Sequence, residues 1–507
     1  MNMNNSVTEK IGKIITKARE SKGLTQSELA KLLSTSQSAV ARMEKGEQNF
    51  TTDTLSKVSN VLKKDIITLS KGELNFKIQG NTKLSGEISI NSSKNGAVAI
   101  LCASLLNKGT TILHNVPHIA EVERITELIE SIGVSVKWFN QKSLEIKTPK
   151  EFNLKNLNIK SAQRTRIGML LLGVLSHFVP EFRYPTAGGC NLGKRTSNPH
   201  FLGLSELGVQ VEVSPKEYIS RVEGEIQDEV ILYESGDTVT EQVLLRAARL
   251  DKETTIKYCS ANYMVQDLVC FLQKLGVKIE GNKTTTLKVH GLKEISKRIE
   301  YTISEDPIEC MFYITAAIIT KSELLIKRCP IEFLELELYK LKQMGLNYKV
   351  LDSYKGSNNH VELADIKFFP SELTALEDKI ECRPYPGLNM DNLPFFVLIA
   401  TQAKGRTLIH DWPYEVRSEY YQMLNSLGAD VIRADIHRSY VTGITDFRAG
   451  KLTCPPALRP AAILMLAMLI ADGQSELRNV YSISRGYESV AQKLNSIGAK
   501  IEKMVSF

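Results

Sequence analysis

The sequence predicts an α+β fold of six repeated lobes, preceded by a small all-α unit. Three observations carry this. A short phrase returns six times, in the copies LIESIGVSV, LSELGVQV, LQKLGVKI, LKQMGLNY, LNSLGADV and LNSIGAKI. The 507 residues are too many for one compact core. The first 75 residues carry 12 Lys and Arg against 8 Asp and Glu, which is more than half of a net charge of only +7. Hydrophobic residues at 43% and charged residues at 24% are ordinary for a globular chain. That excludes a disordered, collagen-like or membrane-bundle protein.

The N-terminal unit reads as short helices with no strand pattern over residues 7–68. Ile11, Ile14, Ile15 and Ala18 recur at helical spacing. Gly23 stops that helix, and Thr25 caps the next with Glu28 as its capping-box partner. TQSELAKLL, then Ser34-Thr35-Ser36, then QSAVARMEKG is a helix, a tight turn and a second helix. Thr52 or Asp53 is expected to cap the helix that follows. Residues 9–68 closely resemble the phage-repressor (XRE-type) DNA-binding domain through Gly23-Leu24-Thr25-Gln26, Ser36-Gln37-Ser38 and Glu44-Lys45-Gly46. A recognition helix needs polar side chains at its start to reach base edges in the major groove. Gln37, Ser38 and Arg42 suit that role, and Gln26 suits a phosphate or outer base. The resemblance implies a partner in double-stranded DNA and an internal pair between Arg19 and Glu44. Docking to protein is the other use of such a unit.

The glycines of the six copies are Gly133, Gly208, Gly276, Gly345, Gly428 and Gly498, spaced by 75, 68, 69, 83 and 70 residues. Each is expected to end a helix, and the β-branched residues after it to start a strand. A second run precedes five copies: TTILHNVP, TTIKYCSA, ELLIKRCP, RTLIHDWP and SELRNVYS. Unit two has FRYPTAGGC there instead. A unit of about 70 residues is too long for a solenoid and suits a small lobe, several of which pack around buried helices.

Several stretches carry candidate chemistry. NSSKNGAVAIL opens a helix with Lys94 and Asn95 at its start, a good anion site. PTAGGCNLGKR sets Cys190 in a loop with Lys194 and Arg195 nearby, and positive neighbours favour a thiolate. The other seven cysteines read as buried thiols, with no C-x-x-C pair to suggest zinc or redox chemistry. NMDNLPFF places Asp391 in a polar loop before an aromatic helix. Asp306 in SEDPIEC serves as readily as a helix cap. Arg166, Arg417, Arg459 and Arg485 complete a set of cations suited to phosphate and carboxylate.

These stretches together resemble the enolpyruvyl transferase family, in particular its members acting on UDP-N-acetylglucosamine. The resemblance implies an inside-out α/β barrel in two halves of three lobes each. Half one is expected at 75–93 plus 300–507, half two at 94–299, after a helix-turn-helix domain at 1–72. It implies that Cys190 is a general acid and the target of fosfomycin, and that Asp391 is the base. Lys94, Arg195 and Arg485 would clamp phosphoenolpyruvate. Asn95, Arg166, His200, Asp306, Arg417 and Arg459 fall at family substrate positions. No metal or organic cofactor is implied.

The chain also departs from the family. Ala457 replaces the acid of an Asp-Leu-Arg run, Asp237-Thr238-Val239 replaces Ser-Val-Gly, and Asn198 replaces an aspartate. Asn262 and Met264 stand where the third unit has acids. Three functions stay open: transfer to UDP-N-acetylglucosamine, transfer to another nucleotide or sugar acceptor, and ligand sensing by a non-catalytic body coupled to DNA. The longest apolar stretch, from Pro460, is short of the ~20 residues of a membrane span, and the first residues carry no signal pattern, so a cytoplasmic location is expected.

Overall fold

A computed structural model describes residues 3–48, 50, 52–62, 73–186, 188, 196–415 and 417–506. The chain divides into two compact units. One is Met1–Glu73 with Lys137–Glu145 and Val505–Phe507; the other is Leu74–Val136 with Ile146–Met504.

The first unit is built on four helices, Met3–Ser21, Gln26–Leu32, Gln37–Lys45 and Thr52–Leu62. Ile15, Ala18, Leu29, Ala30, Val40, Met43, Leu55, Val58 and Leu62 form its core. Thr25 caps the second helix, and both hydrogen bonds of the capping box with Glu28 are present. Gly23 has the left-handed φ of +67° that a helix stop requires. Ile11, Ile14, Ile15 and Ala18 share the helix Met3–Ser21 as their spacing predicts, with Ile15 and Ala18 buried and Ile14 40% exposed. One expectation needs correction. The fourth helix already includes Thr52 and Asp53, so neither is its cap.

The described residues form six sheets. Three are built from strands of residues 110–302 and three from strands of residues 73–89 and 324–506. The repeat explains this. All six copy glycines have φ between +69° and +109°, so each turns the chain from a helix end into a strand. The runs expected to be β-rich form Thr110–His114, Glu253–Lys257, Leu324–Pro330, Ala403–His410 and Gln474–Arg478, and unit two contributes Glu181–Pro185. A second repeated device marks four of these strands: Asn115, Tyr258 and Asn479, each just past its strand, and Arg328, at the irregularity within Leu324–Pro330, all have positive φ. Where the chain passes between the two sets of sheets, its outgoing and returning segments run side by side. Ser92 bridges Glu305, and the Ser93 amide donates to the Ser304 carbonyl at 2.7 Å.

The sheets cover helices that are apolar on every face, which is the pattern of a buried helix. Pro307–Ile319 and Leu393–Ala400 are buried at every residue, and Leu458–Ile470 from Arg459 to Leu469. These three pack on one another. In the other set, Tyr263–Leu275 packs against Lys94–Ala103 and against Asp237–Ala247. Leu464 is fully buried in this core. Leu464→Ala is expected to cost about 2–5 kcal/mol, read as a lower denaturant midpoint with an unchanged m-value.

Candidate active site

The candidate residues sit at the first turns of the buried helices. Ser93 caps Lys94–Ala103 by accepting the Gly96 amide at 3.0 Å, which sets Lys94 and Asn95 at the helix start. Asn95 Nδ2 donates to the Tyr263 hydroxyl at 3.0 Å, and Tyr263 begins another buried helix. Asp306 accepts the Ile308 amide at 2.8 Å and the Glu309 amide at 3.3 Å, so it is the cap of Pro307–Ile319. Its second oxygen lies 3.4 Å from the Lys94 amide nitrogen, which ties two helix starts together.

Asp391 precedes Leu393–Ala400 and accepts Arg459 Nη2 at 3.2 Å. Arg459 donates through Nη1 to the Tyr487 hydroxyl at 3.0 Å. Arg417 is buried, makes two 2.6 Å bonds to Asp411, and donates to the Met390 carbonyl at 2.7 Å. Burial works against the Asp391 charge, but Arg459, Arg417 and Lys94 outweigh it and hold the carboxyl below the usual aspartate value. Asp391 is therefore ionised at neutral pH, as a general base must be.

Arg485 points its Nε and Nη2 at Glu121 Oε2, at 3.3 and 3.1 Å. Glu121 Oε1 accepts the Thr165 hydroxyl at 2.5 Å. Gly486 has no side chain for a reason: a Cβ there would lie 2.2 Å from Leu458 Cδ2 and 3.3 Å from Lys94 Cδ. Lys94, Asp391, Arg459 and Arg485 thus come from four distant stretches into one neighbourhood. Beside it is a cavity lined by Asp237, Asn262, Glu335, Glu337, Arg383 and Met390, among others.

Cys190 and Arg195 lie outside the described residues. The flanks of their loop are described. Arg166 Nη2 donates to the Thr196 carbonyl at 2.8 Å. A Cβ on Gly188 would lie 1.6 Å from the Gln163 carbonyl oxygen, so only glycine fits there. His200 is buried, with Nε2 3.3 Å from the Thr238 hydroxyl. Of the other seven cysteines six are buried and Cys270 is half-buried. Burial pushes the thiols of Cys259, Cys382 and Cys454 up to about 12, which leaves them inert.

Sequence reasoning missed Glu121, Tyr263, Glu241 and Glu337. Glu121 looked like any acid in a helix first turn. Glu241 is fully buried with neither carboxyl oxygen hydrogen-bonded. Burial and then Asp237 push it well above the usual range, against the pull of Lys94. Asp237 is raised by burial, despite hydrogen bonds from Ser260 and Asn262.

In the helical unit, Arg19 pairs with Glu44 at 2.5 and 3.0 Å, as expected. Glu44 also accepts Gln26 Nε2 at 2.9 Å, and Gln26 Oε1 accepts Gln37 Nε2 at 2.7 Å. Ser38 Oγ lies 2.9 Å from Ser36 Oγ, and Arg42 is exposed. Among the described residues there is no cluster able to hold a metal, and no helix long and apolar enough to cross a membrane.

Residues 78–494 match the family described as EPSP synthase (3-phosphoshikimate 1-carboxyvinyltransferase), and residues 15–69 match a helix-turn-helix family. The chain is 32% identical over 429 residues to the UDP-N-acetylglucosamine 1-carboxyvinyltransferase of Bradyrhizobium diazoefficiens, covering 84% of this chain and 97% of the relative. It is 29% identical to the protein of that name from Borreliella burgdorferi, covering 85% and 99%. The enolpyruvyl transferase NikO from Streptomyces tendae shares the fold, with a TM-score of 0.74 at 22% identity over 86% of this chain and all of that one.

Two outcomes follow from the geometry. A carboxylate held below its unfolded pKa adds stability above about pH 3.9, lost as the pH falls through the folded value. Asp391→Asn should therefore be less stable than the native chain at pH 7, with the difference closing toward pH 3 in denaturant titrations. Gly188→Ala should unseat the Cys190 loop, read as a fall of at least tenfold in turnover with a nearly unchanged melting temperature.

Proposed function

The chain belongs to the EPSP synthase family of enolpyruvyl transferases, and from that footing we propose that its body transfers the enolpyruvyl group of phosphoenolpyruvate to the 3-hydroxyl of UDP-N-acetylglucosamine. The observation that carries the proposal is an ionised Asp391 beside Arg459, in one neighbourhood with Lys94 and Arg485. The acceptor hydroxyl loses its proton to Asp391, and its oxygen bonds to C2 of phosphoenolpyruvate. Cys190 gives a proton to C3. C3 then returns a proton to the Cys190 thiolate, the C2=C3 double bond re-forms, and the C2–O bond to phosphate breaks so that phosphate leaves. Lys94, Arg195 and Arg485 carry the charge that grows on the departing phosphate, where fixed cations lower the barrier most. Arrival of the phosphoenolpyruvate anion also offsets the cations that depress Asp391, which makes it a better base when the hydroxyl is present.

Ala457 supplies no side-chain cap to Leu458–Ile470. The Arg459 of that helix is held instead by Asp391 and Tyr487. A second acceptor is favoured by the cavity lining, where Asp237, Glu332, Glu335 and Glu337 outnumber the single cation Arg383. The reaction class is the same; the group on the hydroxyl differs. The N-terminal unit adds sequence-specific binding of double-stranded DNA, with Gln37, Ser38 and Arg42 toward the bases.

The test is phosphate release from phosphoenolpyruvate with UDP-N-acetylglucosamine, then with a panel of sugar and nucleotide hydroxyls. Release is expected and should be abolished in Cys190→Ser and Lys94→Ala. No release with any acceptor would sink the transferase reading and leave the ligand-sensing one. For DNA, a duplex selected from random sequence should bind Arg42→Ala more weakly by about 1–3 kcal/mol, with relaxed preference at the base pair the arginine reads.

A further inference from the structure

The ion pair between Arg485 and Glu121 joins parts of the second unit that the sequence keeps 364 residues apart. Glu121 stands in the first turn of Ala120–Ser131, beside the strand Thr110–His114 of one set of sheets. Arg485 follows Tyr481–Ser484 in the other set. The side chain of Glu121 is 8% exposed and that of Arg485 19%. Both Glu121 oxygens are used: Oε2 faces the guanidinium, and Oε1 accepts the hydroxyl of the fully buried Thr165. Thr165 is bonded in sequence to Arg166, and Arg166 donates to the carbonyl of Thr196, at the C-terminal edge of the Cys190 loop. One carboxylate therefore fixes the plane of a guanidinium on one side and the approach to that loop on the other.

We propose that Glu121 is the positioning residue of the phosphoenolpyruvate site, setting Arg485 from the opposite set of sheets and linking it through Thr165 and Arg166 to the C-terminal flank of the Cys190 loop. This rests on the reading that Arg485 clasps phosphoenolpyruvate. A guanidinium presents its N–H groups in a rigid fork, so fixing one edge fixes the direction of the rest. Without Glu121 the arginine has more rotamers to lose when the anion arrives, and that loss falls on affinity rather than on the chemical step.

Glu121→Gln tests it, because glutamine keeps the shape and still accepts from Thr165 but removes the charge. The KM for phosphoenolpyruvate should rise about tenfold while kcat stays within about threefold. The acceptor KM and the melting temperature should hardly move. Thr165→Val, which leaves the charge but unseats it, should shift the same KM less. In an Arg485→Lys background, Glu121→Gln should add almost nothing, since it acts through the arginine. Equal falls in kcat for every substrate, or full additivity with Arg485→Lys, would overturn the proposal. Equilibrium binding of phosphoenolpyruvate separates it from the reading beneath. A native chain that does not bind phosphoenolpyruvate overturns both, whereas native and Glu121→Gln chains that bind it equally overturn the positioning role alone.

Discussion

A helix buried on every side can meet polar partners only at its ends, and the second unit is built around that constraint. Backbone N–H groups of the first turn have no partner within the helix, so burying the flanks of a helix forces its polarity to one place. Here the starts of these helices gather polar side chains: Lys94 after its Ser93 cap, Asp237, Asn262 before Tyr263, Asp306, Asp391 ahead of Leu393, and Arg459. The same ends that need hydrogen-bond acceptors favour anions. An anionic substrate and a set of carboxylates thus compete for one region, and the arginines arbitrate between them.

The carboxylates of that region are pushed apart by their surroundings. Asp391 is held below its ordinary range by three cations. Asp237 is raised by burial and feels Asp391 as a further like charge. Glu241, four residues along the same helix, has no hydrogen bond and is raised further. The group with the cations keeps its charge, and burial works against the charge of the two behind it. Opposite shifts in neighbouring acids are how one site holds a base and a proton-bearing acid at one pH.

Much of the architecture could be read from residues one after another along the chain. The six glycines were legible because only glycine adopts a left-handed backbone without strain, and all six adopt it. The Thr25 capping box was legible because its partners are three residues apart. What could not be read was partner choice between distant stretches. Tyr263 with Asn95, and Glu121 with Thr165 and Arg485, are contacts that depend on how lobes pack, and no spacing encodes them.

The unequal spacing of the repeat glycines has a consequence for how such a chain diversifies. The interval from Gly345 to Gly428, at 83 residues, is the longest of the five. It holds the Arg383–Met390 segment that lines the cavity beside Asp391. The same handed turn closes every interval of this chain whatever its length, so the extra residues of this one are accommodated between two fixed helix-to-strand turns. Exchanging only residues 383–389 remakes one wall of the cavity beside Asp391 and leaves Asp391, and the helix it precedes, in place.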